Sequence, residues 1–423
     1  MKKIILLFSL TLIAQSFIFP QNINGRLTSS VYSFERFSDQ NNSYNYIRAH
    51  ELINLNFNRE NFSLRTYFNF ESDLSKDLKT DPRFRVYNFF IEGRDVFDVL
   101  NFRLGRQPII GGVVGGLFDG ASASISYKEI KLSGYYGGNV PAYQKFITTD
   151  DWENDFIAGG KISTTALKNF KVALSYTNKN FKPQEYNALR LDEDLNPITV
   201  LIRSKSNQYQ YASAEVSYEM KNIFSIDTRY DYDMNYEKTS KFEVYGNYEQ
   251  IKNLRLNAYF NYREPRVRYN SIFSVFDYGN TQEIEAGGDY NFSNNLTLSG
   301  KFGYVKYKDE NSQRATVGLS TKFGTLSYRK GMGYAGELDA VSAYSAYSFL
   351  NGFITPSIGV SYTSYKLSKD AEKNNLMTVL AGCNVRPFRS LSFDLQGQFM
   401  NNKIYKNDYR FLFKLNYWFN TNI

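Results

Sequence analysis

The stretch "YRFLFKLNYWF" (residues 409–419) puts Tyr409, Phe411, Phe413, Leu415, Tyr417 and Phe419 at every second position, with Arg410, Lys414 and Asn416 between them. Successive side chains of a strand point to opposite faces, so one face here is aromatic and greasy and the other largely polar. In a soluble sheet the greasy face would be a core. The remaining sequence decides between that reading and a strand whose greasy face meets lipid.

The same alternation recurs along the chain. "NFSLRTYFNFE" (61–71) sets Phe62, Leu64, Thr66, Phe68 and Phe70 against Ser63, Arg65, Tyr67, Asn69 and Glu71. "NFKVALSYTNK" (169–179), "NLRLNAYFNYR" (253–263) and "SLSFDLQGQF" (390–399) repeat it. Each is a strand with one apolar and one polar face. Beyond the N-terminus no segment has 18 consecutive apolar residues, which excludes helical membrane spans. Aromatics nevertheless reach 17% of 423 residues, so apolar surface is plentiful without being contiguous.

The connections alternate too. Short polar turns stand at 59–61, 167–169, 220–222, 251–253, 293–295 and 388–390, and longer segments at 72–83, 139–153, 179–205, 265–279 and 365–374. Short turns at one end and long loops at the other are the layout of an outer-membrane barrel. About 22 strands of roughly ten residues are expected (range 16–22), each long enough to cross a bilayer at a tilt. Only a closed antiparallel barrel satisfies every backbone donor of such strands in lipid. A propeller or solenoid is the soluble competitor, and no repeat of its period is present. Tyr and Phe at the strand ends would form interfacial girdles. The fold expected is therefore all-β, a single transmembrane barrel over 22–423 without a plug domain, its partner the outer-membrane lipid. "MKKIILLFSLTLIAQSFIFPQ" (1–21) reads as a signal peptide cleaved between residues 16 and 21.

Function classes narrow quickly. The formal charge is +8, but basic residues are dispersed, which argues against nucleic acid. The single Cys383 cannot form an internal disulfide, and no haem, zinc or phosphate-loop motif occurs, so no cofactor is expected. The single histidine, His50, falls beside Arg48 on a lumen face without a nucleophile motif, and the chain is read as a non-enzyme. Parity turns the neighbouring Glu51 toward lipid.

"FRLGRQPIIGGVVGGLFDGASASISY" (102–127) resembles the R-x-G-R-Q … F-D-G segment of porin-like barrels, the phosphate-selective and other substrate-specific porins among them. The closing aromatic strand is similar to the targeting signal of Gram-negative outer-membrane proteins, although Phe419 is followed by "NTNI". The resemblance implies the outer membrane of a Gram-negative bacterium and a channel. In the segment itself Arg103, Gly105 and Gln107 share one face, Asp119 is placed to fix Arg103 or Arg106, and Gly111, Gly112, Gly115 and Gly116 permit tight turns.

By parity the lumen would be lined by Arg65, Arg103, Gln107, Asp119, Lys171, Arg229, Arg255, Arg263, Lys301, Asp394, Arg410 and Lys414. Glu71, Asp227, Asp231 and Asp233 stand with them. Such side chains set the selectivity of an aqueous pore. Two functions follow. One is a porin passing small hydrophilic solutes, anions among them given the basic excess. The other is a scaffold sheathing a protein partner such as a multihaem cytochrome, because an unplugged 22-stranded barrel is wide enough to leak. In the first case long loops, residues 179–205 above all, are expected to fold inward.

Overall fold

The computed structural model describes residues 21–37, 42–76, 83–109, 113–182, 185–203, 208–269, 271–333, 336–368, 371–403 and 407–422. The expected signal peptide lies almost wholly outside these residues. Strands β1 (Asn22–Phe37), β2 (Ser43–Arg59), β3 (Phe62–Asp73), β4 (Arg83–Val96), β5 (Leu100–Pro108) and β6 (Leu117–Tyr127) open the sheet. β7 (Ile130–Asn139), β8 (Phe156–Thr164) and β9 (Phe170–Asn180) continue it. β10 (Glu185–Leu191) and β11 (Pro197–Arg203) pair only with each other, and the sheet resumes at β12 (Tyr209–Met220). β13 (Phe224–Asp233), β14 (Lys238–Tyr248), β15 (Leu254–Arg263), β16 (Thr281–Ser293), β17 (Leu296–Tyr307) and β18 (Glu310–Thr321) follow. β19 (Gly324–Gly333), β20 (Glu337–Ala346), β21 (Ile354–Lys366), β22 (Asn374–Phe388), β23 (Leu391–Asn402) and β24 (Asp408–Asn422) complete the wall.

These form a 22-stranded antiparallel sheet in which β1 pairs with both β2 and β24. The sheet is thus a closed barrel with no free edge, which is the condition for crossing lipid with strands. The short turns expected at 59–61, 167–169, 220–222, 251–253, 293–295 and 388–390 all fall at one end, with the start of β1 and the end of β24. The five longer segments fall at the other. Residues 179–205 differ from expectation: they carry the β10–β11 hairpin, which has no barrel strand as a pairing partner.

The two faces separate as the alternation requires. Large apolar side chains exposed on one face include Leu132, Leu174, Ile284, Phe302, Val317, Ile358, Leu395 and Phe411. Between them every second residue points to the other, polar face. Because a closed barrel has only an inside and an outside, the apolar face is the outside and meets lipid. Aromatic contacts mark both ends of it. Phe170–Tyr218, Tyr218–Phe224 and Tyr290–Phe292 gather at the turn end, and Phe70–Phe84, Phe242–Phe260 and Phe399–Tyr409 at the loop end. These are the two girdles of a membrane barrel.

Glu51 keeps its parity and sits on this outer face, where it accepts a 2.6 Å hydrogen bond from Ser29 Oγ. It lies between the outward Ile47 and Ile53 and across from Phe70. A carboxylate held among lipid-facing side chains costs stability, less than a Lys or Arg would. Glu51→Leu is therefore expected to raise the unfolding free energy by about 1 kcal/mol, read as a higher urea midpoint for release from vesicles. A lowered midpoint would mean that the carboxylate holds something in the membrane.

Candidate functional site

The inner wall of β2–β5 concentrates charge. Glu71 lies 2.9 Å from Arg85, 3.4 Å from Arg48 and 3.8 Å from Arg83. Asp73 lies 3.5 Å from Arg48. Further along β3 toward the turn end, at the level of Ser63, Glu92 is 2.8 Å from Arg103, 2.9 Å from Arg94 and 3.5 Å from Arg65. Six guanidinium groups thus face three carboxylates, an excess of three positive charges on one wall. The carboxylates are buried beneath the arginines, so it is the cationic layer that meets the lumen. Strand pairing produces this order: Glu71 stands opposite Arg83 and Glu92 opposite Arg103. His50 is opposite Glu71 on the same face.

On the other arcs most charges are paired one to one. Lys161 lies 2.5 Å from Glu215, and Arg229 2.8 Å from Asp231 and 3.8 Å from Glu215. Lys301 is 3.6 Å from Glu285, which Arg314 also pairs at 2.8 Å while binding Glu283. Arg255 is held by Glu249 at 2.8 Å near the turn end, and Arg410 by Asp408 at 2.7 Å. Asp394 accepts amide hydrogen bonds from Asn384 and Asn416. Lys171, Arg263 and Lys414 face inward opposite Ser217, Lys241 and Asp394, and among the described residues none has a carboxylate within 4 Å. Across β19–β22 a single row reads Ser327, Ser342, Ser361, Thr378, with Ser327 and Ser342 hydroxyls 2.7 Å apart.

The segment 102–127 divides between the faces. Gln107 lies on the inner one, donating to the carbonyls of Arg103 and Gly120 and accepting from Ser122 Oγ at 2.6 Å. Its side chain crosses Gly105 and Gly120, where an added Cβ would come within 2.3 Å of a carbonyl oxygen of the neighbouring strand. Asp119 takes the second of its two expected partners, Arg106, but does not line the lumen: both belong to the outer face with Leu104 and Phe89. The reason is period two: Arg106 continues the apolar series Phe102, Leu104. The pair is bidentate at 2.7 Å and buried, and Arg106 also donates to the carbonyls of Gln144, Lys145 and Ile147. The 140–155 segment is therefore a strap laid over the outer rim, and Lys182, 2.8 Å from Asp150, fastens its far end. The hydrogen bond and charge of Lys182 hold the Asp150 carboxyl below the ordinary carboxylate range.

Two other loop segments turn inward. Arg266, in the β15–β16 connection, stacks 5.7 Å over the buried inward Tyr211, lies 3.6 Å from Asp231, and donates at 2.7 Å to the carbonyl of Val113. Val113 belongs to the β5–β6 connection and is 4% exposed. Arg268 stacks 4.7 Å over Phe181 at the end of β9. Gly116, at φ +135°, supplies the backbone turn that few other residues adopt; Gly111 and Gly112 lie outside the described residues. The segments whose contacts turn them inward are thus 113–116 and 264–269.

A closed strand barrel with an apolar exterior, aromatic girdles at both ends and an ionised interior defines an outer-membrane β-barrel. No family model and no curated protein matches the chain. Among solved structures it is similar to the outer membrane protein OpdK from Pseudomonas aeruginosa, at 10% identity and a TM-score of 0.44, covering 95% of this chain and 100% of that one. Acinetobacter baumannii OccAB2 gives 11% identity and 0.43 over 96% and 100%. The P pilus usher (PapC) translocation pore gives 10% and 0.44 over 95% and 99%. The assignment to the barrel class rests on the strand pairing and the two faces.

Proposed function

We propose that this chain is a porin through which small hydrophilic solutes diffuse passively, anions more readily than cations. The observation that supports the reading is the arginine wall of β2–β5, with six cations over three carboxylates along the lumen. A layer of fixed positive charge raises the local concentration of anions and lowers that of cations. The inward segments 113–116 and 264–269 narrow the mouth, so an unplugged barrel of this width need not be filled by another chain. That favours a channel over a sheath for a multihaem cytochrome.

Single-channel recording of the purified barrel in a planar bilayer tests this. A steady conductance with a reversal potential displaced toward the anion is expected. Arg103→Ala should lower the anion-to-cation permeability ratio about twofold, since one charge some 8 Å from a passing ion is worth about 0.5 kcal/mol in water, about 0.2 kcal/mol once salt screens it, and acts with opposite sign on anion and cation. A folded barrel that conducts nothing would overturn the reading.

A further inference from the structure

A cavity of about 350 Å³ opens from the lumen into the wall of β4–β7, lined by Arg94, Arg103, Lys131, Ser124 and Ser133 among others. Its polar groups are unevenly engaged. Glu92, the carboxylate lining it, binds Arg103 through Nε and Nη2 and Arg94 through Nε. Lys131 is exposed to the cavity and among the described residues has no carboxylate within 4 Å. Three cations against one carboxylate leave two positive charges uncompensated. Donors dominate: guanidinium and ammonium N–H with serine hydroxyls between them.

The cations occupy two places. Arg94 stands on β4 and Lys131 on β7, three strand spacings or about 14 Å apart at the backbone. Two carboxylates on a short carbon chain give each place an anion of its own, where one compact phosphate would have to be shared. A fork of guanidinium N–H groups suits one carboxylate and an ammonium the other.

We infer that this cavity is a binding site for small organic dicarboxylates, placed on the channel wall on the turn side of the mouth. The inference rests on the porin reading for its biological sense but not for its test. Succinate, butyrate and glycerol 3-phosphate are each added to the bilayer holding the open channel, and blocking events are timed. Succinate is expected to block for longer than butyrate or glycerol 3-phosphate. Lys131→Ala should shorten the succinate dwell roughly tenfold, the loss of one charge-assisted contact. Arg94→Ala should do the same, while Lys128→Ala, on the adjoining turn, should not. Equal dwell for succinate and butyrate, a longer dwell for glycerol 3-phosphate, or a dwell unmoved by Lys131→Ala would each overturn it. If the folded barrel does not conduct, the porin reading fails by itself. Calorimetric titration of succinate into the detergent-solubilised barrel then decides the site, with binding weakened roughly tenfold by Lys131→Ala supporting it and no heat of binding overturning it.

Discussion

Replacing Asp119 with alanine is expected to lower the stability of the barrel by about 3 kcal/mol. Breaking a buried ion pair from one side strands the other charge, and this costs far more than the intact pair contributes. Here the stranded charge is Arg106, whose side chain is almost fully buried on the outer face. Its carbonyl partners at Gln144, Lys145 and Ile147 soften the loss, which sets the effect at the low end of the usual range for such breaks. The strap is expected to loosen with it, because the same guanidinium joins strand and strap. Two measurements follow. The urea midpoint for unfolding from vesicles should fall, and trypsin should cut after Lys145 in the variant while sparing the parent. Replacing both charges together, Arg106→Met with Asp119→Leu, should recover at least half of the loss, since an apolar pair strands no charge. A change within about 0.5 kcal/mol for Asp119→Ala would be that of an ordinary surface substitution, and the strap would not depend on the pair.

The architecture was readable because period two needs only local sequence. Tyr409 to Phe419 declare two faces without knowledge of any neighbour, and short turns such as "REN" and "SNN" declare which end of the barrel they close. The arginine wall was half readable. Parity turns Arg65, Arg103 and Glu71 to the lumen, and Arg83 and Arg85, spaced two apart in "RFRVYNFF", carry the same signal more faintly because the segment before them is a loop. Asp119 shows where local alternation ceases to be enough. Parity assigns Arg106 to the greasy face, and a charge there invites reassignment to the lumen. What makes the outer position tenable is a cover of carbonyls some forty residues away in a segment, "PAYQKFI", that has no pattern of its own. The inward turn of the loops is hidden for the same reason. Val113 and Arg266 are 153 residues apart, and neither "GGVVGG" nor "REPRVR" signals that one carbonyl waits for the other's guanidinium. The β10–β11 hairpin was missed differently. Residues 185–203 hold no clean alternation: Val200, Leu201 and Ile202 run together and Arg190 shares a face with Tyr186 and Ala188, so only the pairing itself declares them a hairpin.

Arg266→Ala should unlatch the mouth. In the parent, one guanidinium joins three things: the Tyr211 ring, the Asp231 carboxylate and the Val113 carbonyl. Asp231 does not need it, since Arg229 at 2.8 Å and Ser213 Oγ at 2.5 Å remain. The barrel wall should therefore keep its stability, and the loss falls on the joint between the two inward segments. A hydrogen bond from a charged donor is worth about 1.5–3 kcal/mol, so the population in which the segments part should rise roughly ten- to a hundredfold. Current traces carry this directly. The parent should dwell in a lower conductance level with brief excursions to a higher one, and the variant should occupy the higher level for most of the record. Arg266→Lys restores the charge but neither the planar stack on Tyr211 nor the fork that meets carboxylate and carbonyl together, so it should recover little. If Arg266→Ala leaves the level occupancies of the parent unchanged, the two segments meet without governing the opening, and the arginine wall of β2–β5 alone would set what passes.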